Sequence, residues 1–462
     1  MKSVRDAVIV GGGIAGLSAA WRLRHFDTVV LESDHRVGGR IRSEKRGRYF
    51  LNWGGHVYAG GDSATSWLLN NTGVDAVPVP GSLSGLSMNG KLLLKGRVET
   101  YPFRIPMPLS ARIGMLTTGA KVFTKVGKYA RIVGRRKGES EAQRQQRVYD
   151  FMNDVSFKDF IGDIPADAQA LFEPTVTRSA GDIDQISAGA GVGYFSLVWN
   201  IGAGLSNSIV NGPSTLTETI AAALGEGVRL GAVVQEVVQK KDSVVVRYQQ
   251  DGIEHEVEAR TAVLATPAPI THRIAPDLDP DVREALSKIQ YGPYVSAAFL
   301  TNETERRPWD NAYGIATPKR SFNVMLNMSN IQHGYNRERH PGSSLMTFSP
   351  GTLARNLMEQ DDEGIRNTYL GDLDQVLPGV ASDVVESHIQ RLPLGAPYCF
   401  PGRGKLQPVL TRRTGRVLLA GDYLGSLYTE TAIQSGLNAA TDARAMVCTD
   451  RQTAGAGVLT AS

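Results

Sequence analysis

Cysteine is nearly absent from this chain. Cys399 and Cys448 are its only two among 462 residues, too few for a disulfide framework or a cysteine metal cluster, so a reducing cytoplasm is the default expectation. Long apolar runs are missing too. No segment approaches the roughly 20 apolar residues of a membrane span, and Met1-Lys2-Ser3-Val4-Arg5-Asp6 leads straight into an apolar strand, so neither a membrane helix nor a signal peptide is expected. A charge excess of either sign is also lacking. Fifty Lys and Arg against 46 Asp and Glu leave +4, which gives no reason to expect a nucleic acid. No internal repeat, Ser-His-Asp set or metal-ligand spacing is visible. What is present is 42% hydrophobic and 21% charged residues, enough for a large core divided between two domains. The 50 glycines are somewhat above ordinary usage, as expected where backbone must approach a ligand closely.

The informative stretch comes first. Val8-Ile9-Val10-Gly11-Gly12-Gly13-Ile14-Ala15-Gly16 reads as an apolar strand, a Gly-x-Gly-x-x-Gly turn and a helix start, and Thr28-Val29-Val30-Leu31-Glu32 as a second strand ending in an acid. This is the pattern of a dinucleotide site. Gly11 permits the tight turn, Gly13 lets the N-H groups at the helix start (Ile14, Ala15) approach a pyrophosphate, and Gly16 lets helix and sheet touch. Glu32 suits a ribose hydroxyl and repels a 2'-phosphate, which disfavours NADP and leaves NAD and FAD open.

Five residues beyond Glu32 the chain reads Val37-Gly38-Gly39-Arg40-Ile41-Arg42, then Asn52-Trp53-Gly54-Gly55-His56. Arg40 offers a planar fork of donors to phosphate, and paired glycines let backbone reach a flat ligand. Here the chain resembles the flavin-containing amine oxidase superfamily, which includes monoamine oxidases, protoporphyrinogen oxidases and phytoene desaturases. The resemblance implies non-covalent FAD, with Gly39 and Arg40 along its pyrophosphate and Trp53, Gly54 and Gly55 near the flavin ring. It extends to Val228-Arg229-Leu230, Val234-Gln235-Glu236-Val237 and Ala262-Val263-Leu264-Ala265-Thr266-Pro267, where the backbone of Val234 is expected at the adenine. Near the end, Gly421-Asp422 closes an apolar strand, and Thr429-Glu430-Thr431-Ala432-Ile433 opens a helix. In the family, the Asp meets the ribityl and pyrophosphate region and the helix start (Thr431, Ala432, Ile433) faces the flavin N1 and O2 edge, where a helix dipole favours the reduced cofactor.

The implied fold is α/β: a Rossmann-like, discontinuous FAD-binding domain of the GR2 type in residues 1–75, 208–270 and 405–450, with an inserted α+β substrate domain in 76–207 and 271–404. The tail from 451 to 462 is small and polar enough to be disordered. The basic stretch from Lys121 to Arg147 has three readings: a solvated helix face, a patch for a membrane surface or acidic partner, or a nucleic-acid site.

Around the expected flavin, Ala180-Gly181-Asp182-Ile183-Asp184-Gln185-Ile186-Ser187 resembles a stretch of protoporphyrinogen oxidases and points to that branch. Monoamine oxidases carry a lysine four residues after a glycine on a cavity-floor strand; from Gly292 that spacing lands on Ser296. Tyr428 stands eight residues before Gly436, at the spacing of an aromatic-cage tyrosine, with Tyr398 or Phe400 as the opposite wall, unless these rings are simple core. His56 is a candidate general base or hydrogen-bonding group. Cys399 is either a flavin attachment point or, more simply, an inert buried thiol.

These residues together imply an FAD-dependent oxidoreductase moving hydride from a C-H next to nitrogen, or from a C-C bond, of a small or medium organic substrate to the flavin. Oxygen or another acceptor would complete the cycle. The alternatives are a protoporphyrinogen or coproporphyrinogen oxidase, with Arg178 or Arg104 for propionates, a carotenoid-type desaturase, and a non-redox flavin-dependent mutase. No metal is expected, and peripheral membrane contact remains an option.

Overall fold

A computed structural model describes residues 4–79, 85–199, 205–336, 338–413, 415–426 and 428–459. Strand β1 (Arg5–Val10) is buried from Asp6 onward, and it pairs in parallel with β2 (Thr28–Leu31), Ala7 opposite Thr28 and Val10 opposite Leu31. Both strands are continuous apolar runs because the sheet is covered on both faces. Helix α1 (Ile14–Arg22) covers one face, and its small residues Ala15, Ala19 and Ala20 allow the close approach.

On the far side of β1 lies the second half of a long strand, Ile253–Leu264, with Val10 opposite Leu264; Val417–Leu419 pairs in parallel beyond it. The first half of that long strand belongs to an antiparallel meander with Val244–Gln250 and Val233–Gln239. One strand thus joins the hairpin to the parallel sheet, so the hairpin and the return of the chain are the same element. Val228–Arg229 closes the other edge beside β2.

A second seven-stranded sheet runs in the order Val384–Pro397, Tyr291–Thr301, Ser344–Pro350, Val324–Asn327, Gly314–Ala316, Gly85–Met88, Lys91–Leu93. Its one parallel pairing among the described residues, Ile315 opposite Gly85, stitches together two distant parts of the chain. Helices Leu109–Val133, Phe157–Ile161, Ala166–Val176 and Ala188–Val198 pack beside it on Val122, Val126, Phe157, Phe172, Val192 and Phe195. The basic stretch runs from the second half of the first of these helices through the connection that carries Arg135, Arg136 and Lys137 into Glu141–Asp150, which opens with a Ser140 and Gln143 capping box.

The closing helix, Tyr428–Leu459, lies against α1, where a Cβ on Gly436 would fall 2.1 Å from the Ala15 carbonyl oxygen. Its backbone stays helical past Arg451, and residues 460–462 of the expected tail lie outside the described residues. Among the described residues no helix is long and apolar enough to cross a membrane.

Candidate active site

The turn after β1 is built by contacts that only glycine tolerates. Gly11 has φ +104°, and a Cβ there would lie 2.8 Å from the Ala265 carbonyl oxygen; on Gly16 it would lie 1.9 Å from the Gly11 oxygen. Gly13 differs. A Cβ on it would meet no protein atom within 4 Å, because it points into open space. Glu32 sits beside this turn, buried, its carboxylate accepting from the Gly12 N-H at 2.6 Å and the Asp34 N-H at 2.8 Å.

The next glycines are tied to the same turn. The Gly38 N-H donates to the Gly12 carbonyl at 2.9 Å, and the Gly55 N-H to the Arg40 carbonyl at 3.2 Å, so three sequence motifs form one ridge. Arg40 does not project alone, as a free phosphate ligand would. Its guanidinium forms a two-pronged pair with Asp422 and donates to the Gly395 carbonyl at 3.1 Å. Burial is the largest influence and opposes this charge, but Asp422 together with Tyr291 and Tyr294 outweighs it and raises the Arg40 pKa. Trp53 is buried, donating from Nε1 to the His388 carbonyl at 3.2 Å.

The turn, the ridge and Arg40 border a cavity of about 1360 Å³ lined by Gly11, Gly13, Ile14, Ala15, Glu32, Gly39, Arg40, Trp53, Gly54 and Gly55 at one end. Val234 lines it as well, where the strand register shifts between Val234 and Glu236, so backbone there is out of the regular ladder. The starts of both α1 and the closing helix open into it, bringing two positive dipole ends to one space. Gly421 and Asp422 complete the wall; Gly421, at φ +150°, donates from its N-H to the Ser435 Oγ at 2.9 Å.

Some expected site residues are not on the wall. Of the trio at the closing helix start, Ala432 lines the cavity, whereas Thr431 and Ile433 are buried and turned away, as the 3.6-residue period requires of consecutive positions. Gly16 is behind the turn. Glu430, just before that trio, was not among the expected site residues, yet it accepts from the N-H groups of Ala64 at 2.8 Å and Thr65 at 3.0 Å and from the Thr65 hydroxyl. It caps another helix, Ala64–Thr72, and so fixes the start of its own.

Beyond the glycine ridge the cavity becomes aromatic. Tyr428 lines it with its ring stacked on Tyr194 at 6.1 Å, and burial pushes its hydroxyl pKa up to about 12. The expected opposite wall is corrected: neither Tyr398 nor Phe400 reaches the cavity. A Cβ on Gly181 would meet the Tyr398 ring, whose hydroxyl donates to the Gln290 side chain, because the strand Val384–Pro397 ends before it. Among the other rings that line the chamber are Tyr294 and Phe348, with centroids 4.4 Å apart on neighbouring strands. They were missed because cross-strand pairing is not visible in local sequence.

His56 also lines the chamber. Its Nδ1 lies 3.0 Å from the Gly54 carbonyl, so Nδ1-H donates and Nε2 is left as an acceptor. Burial, reinforced by the Arg178 charge, lowers its pKa to about 4. It is neutral at physiological pH and a weak base, which favours hydrogen bonding over proton abstraction.

Cys399 is off the cavity, and burial raises its thiol pKa, as suits an inert thiol. Ser296 is buried and donates to the Trp53 carbonyl at 2.7 Å, and no lysine among the described residues lines the cavity. Of the two arginines considered for an anionic substrate, Arg178 lines the cavity; Arg104 turns back to the Lys95 carbonyl.

Relatives of this chain carry related architecture. It is 24% identical to the L-amino acid oxidase Bs29 of Bothriechis schlegelii over 95% of this chain and 90% of that one. It is 32% identical to a coproporphyrinogen III oxidase of Propionibacterium freudenreichii subsp. freudenreichii, over 24% of this chain and 21% of that one. Among solved structures, putrescine oxidase bound to putrescine superposes with a TM-score of 0.76 at 20% identity, covering 96% of this chain and 99% of the other. The family model for flavin-containing amine oxidoreductases matches residues 14–444, from the start of α1 into the closing helix, and with that span the chain belongs to this family of FAD-dependent oxidoreductases.

Proposed function

We propose that this protein removes hydride from a C-H next to nitrogen, or from a C-C bond, of a small or medium organic substrate held in the aromatic chamber. One observation carries the reading: the cavity runs without a break from the glycine ridge, past two helix starts, into that chamber. Its volume exceeds the ~300–1,000 Å³ of ordinary ligand pockets, which leaves room for a cofactor and a substrate.

The fit to FAD rests on this chain's own atoms. Gly13 leaves open exactly the space that a side chain would fill, the α1 N-H groups face it, and Glu32 is held in place for a ribose hydroxyl. Residues 1–75, 208–270 and 405–450 would hold the cofactor, with Gly11, Gly13, Ile14, Ala15, Gly39 and the Arg40–Asp422 pair at the diphosphate, Val234 at the adenine, and Trp53, Gly54, Gly55 and Ala432 near the flavin. Gly16, Thr431 and Ile433 would act by packing. Bound FAD supplies the hydride acceptor.

The protein's part is positional. Tyr428 on one side and Tyr294 with Phe348 on the other would hold the reacting carbon, and the apolar walls of Leu86, Met115, Leu171 and Phe195 would exclude water. His56 would accept a hydrogen bond at Nε2. With a neutral His56 and no lysine on the wall among the described residues, the electron push would come from the substrate itself, as from an unprotonated amine.

Peripheral contact with an anionic membrane is supported by an exposed apolar row on the helix Leu109–Val133, formed by Leu109, Ile113, Leu116 and Phe123, with Lys128 and Arg131 exposed further along. Leu116 and Phe123 also line the cavity, so substrate could enter there. A cytoplasmic location agrees with the unpaired cysteines.

The test is an anaerobic absorbance spectrum of the purified protein with amines, a porphyrinogen and a carotenoid precursor added in turn. Bleaching of oxidised flavin by one of them assigns the substrate class; absence of flavin after FAD is supplied overturns the proposal.

A further inference from the structure

The charged side chains lining the cavity are mostly committed. Glu32 is held by backbone N-H groups, Arg40 and Asp422 by each other, and Arg97 pairs with Glu99 at 3.4 Å. The Arg178 guanidinium has no hydrogen-bonding or ion-pair partner among the described residues, although the residue is only partly exposed. Arg273 also lacks one, but it is exposed at the other end beside Ile270 and Val234. Arg178 sits where its charge acts on His56, Tyr294 and Tyr428, in the aromatic chamber.

Its turn is held firmly. The Tyr294 hydroxyl donates to the Arg178 carbonyl at 2.7 Å, and Asn323 Nδ2 to the Thr177 hydroxyl at 3.1 Å. Gly292 lies flush against Ala180, where a Cβ would come within 2.0 Å of the carbonyl oxygen. Asp182 accepts from the Thr352 N-H at 3.0 Å and pairs with Arg355, which explains the Ala-Gly-Asp stretch as an anchor. The nearest acid in the preceding helix, Glu173, is taken by Gln169 at 2.7 Å. A guanidinium on a firmly held turn, lining the aromatic chamber without a counter-ion among the described residues, is half of a charge-assisted pair.

We propose that Arg178 binds an anionic group of the substrate, a carboxylate, so that the substrate class is carboxylate-bearing. The planar fork of donors matches a carboxylate in two-pronged fashion, and fixing that end would orient the rest of the molecule between Tyr428 and the Tyr294–Phe348 pair. This deepens the functional reading above and rests on it for the location of the reaction.

The test titrates the holoenzyme with two matched pairs, benzoate against benzamide and 3-phenylpropionate against 3-phenylpropionamide, following flavin absorbance and, separately, heat of binding. In each pair the acid is expected to bind at least ~10-fold tighter than the amide. Arg178→Gln is expected to remove that difference while leaving amide affinity unchanged, and Arg178→Lys to keep part of it. Equal affinity of acid and amide, binding of neither, or a preference that survives Arg178→Gln overturns the proposal. The comparison in the unaltered protein needs no variant to fold. Calorimetry needs no flavin signal, so a protein that fails to hold FAD refutes the functional reading and still reports on Arg178.

Discussion

Arg40 and Asp422, 382 residues apart in the chain, face each other as a two-pronged ion pair, Nη2 to Oδ1 at 2.9 Å and Nη1 to Oδ2 at 2.8 Å. The pair closes the cavity wall between the first motif and the last, and it makes that wall nearly neutral. Removing one partner unmasks the other.

Unequal effects on cofactor retention are therefore expected. Arg40→Gln leaves the Asp422 carboxylate facing a diphosphate and should weaken FAD binding at least ~10-fold. Asp422→Asn leaves a free guanidinium there, so its loss should be smaller. Flavin released into ultrafiltrates at a series of protein concentrations measures both; the reverse order would refute this placement of the diphosphate.

Gly13 and Gly16 separate ligand space from packing. Gly13→Ala adds a methyl group into open cavity at an ordinary helix-start conformation, φ −70°, so flavin-free stability should change by less than ~1 kcal/mol while FAD binding drops sharply. Gly16→Ala drives a methyl onto the Gly11 carbonyl and should cost about 3 kcal/mol in the flavin-free protein. Urea melts paired with FAD titrations distinguish the two.

His56 gives the flavin-free fold an acid sensitivity. Its pKa of about 4 lies below the ordinary 6.5, so folding favours the neutral ring. That contribution is complete above pH 6.5 and is lost as the pH falls from 6.5 toward 4. His56→Gln should remove about 2 kcal/mol of the stability difference between pH 7.5 and 4.5. An identical acid loss in the variant would show that His56 is not its source.

Glu430 joins the closing helix to the helix Ala64–Thr72 through three hydrogen bonds. Glu430→Ala should destabilise the protein by about 1–2 kcal/mol, more than Glu430→Gln, which can keep part of the cap. Thermal melts of the two variants test the order; an unchanged Glu430→Ala would remove the cap from the account.

The glycine motif, Glu32 and the Gly-Gly-Arg stretch were legible because each is a local backbone device: a turn, a helix start or a close approach whose residue types and spacing lie within one segment. The strand from Ile253 was legible only in part. Its sequence announces a hairpin arm and a return of the chain, but not that twelve residues do both. Tyr398 shows the opposite failure. Its spacing suits a cage wall, yet the strand before it ends at Pro397 and the ring turns into the core against Gly181.

Sequence alone determined the strand–turn–helix that can receive a dinucleotide, because glycine conformation and apolar periodicity act over a few residues. Tertiary structure alone decided that Arg40 meets Asp422, that Tyr294 and Phe348 line the chamber where Tyr398 does not, and that the Arg178 guanidinium is left without a partner among the described residues. Those outcomes depend on which strands pair and in what register, and pairing joins residues across hundreds of positions through geometry that no short segment contains.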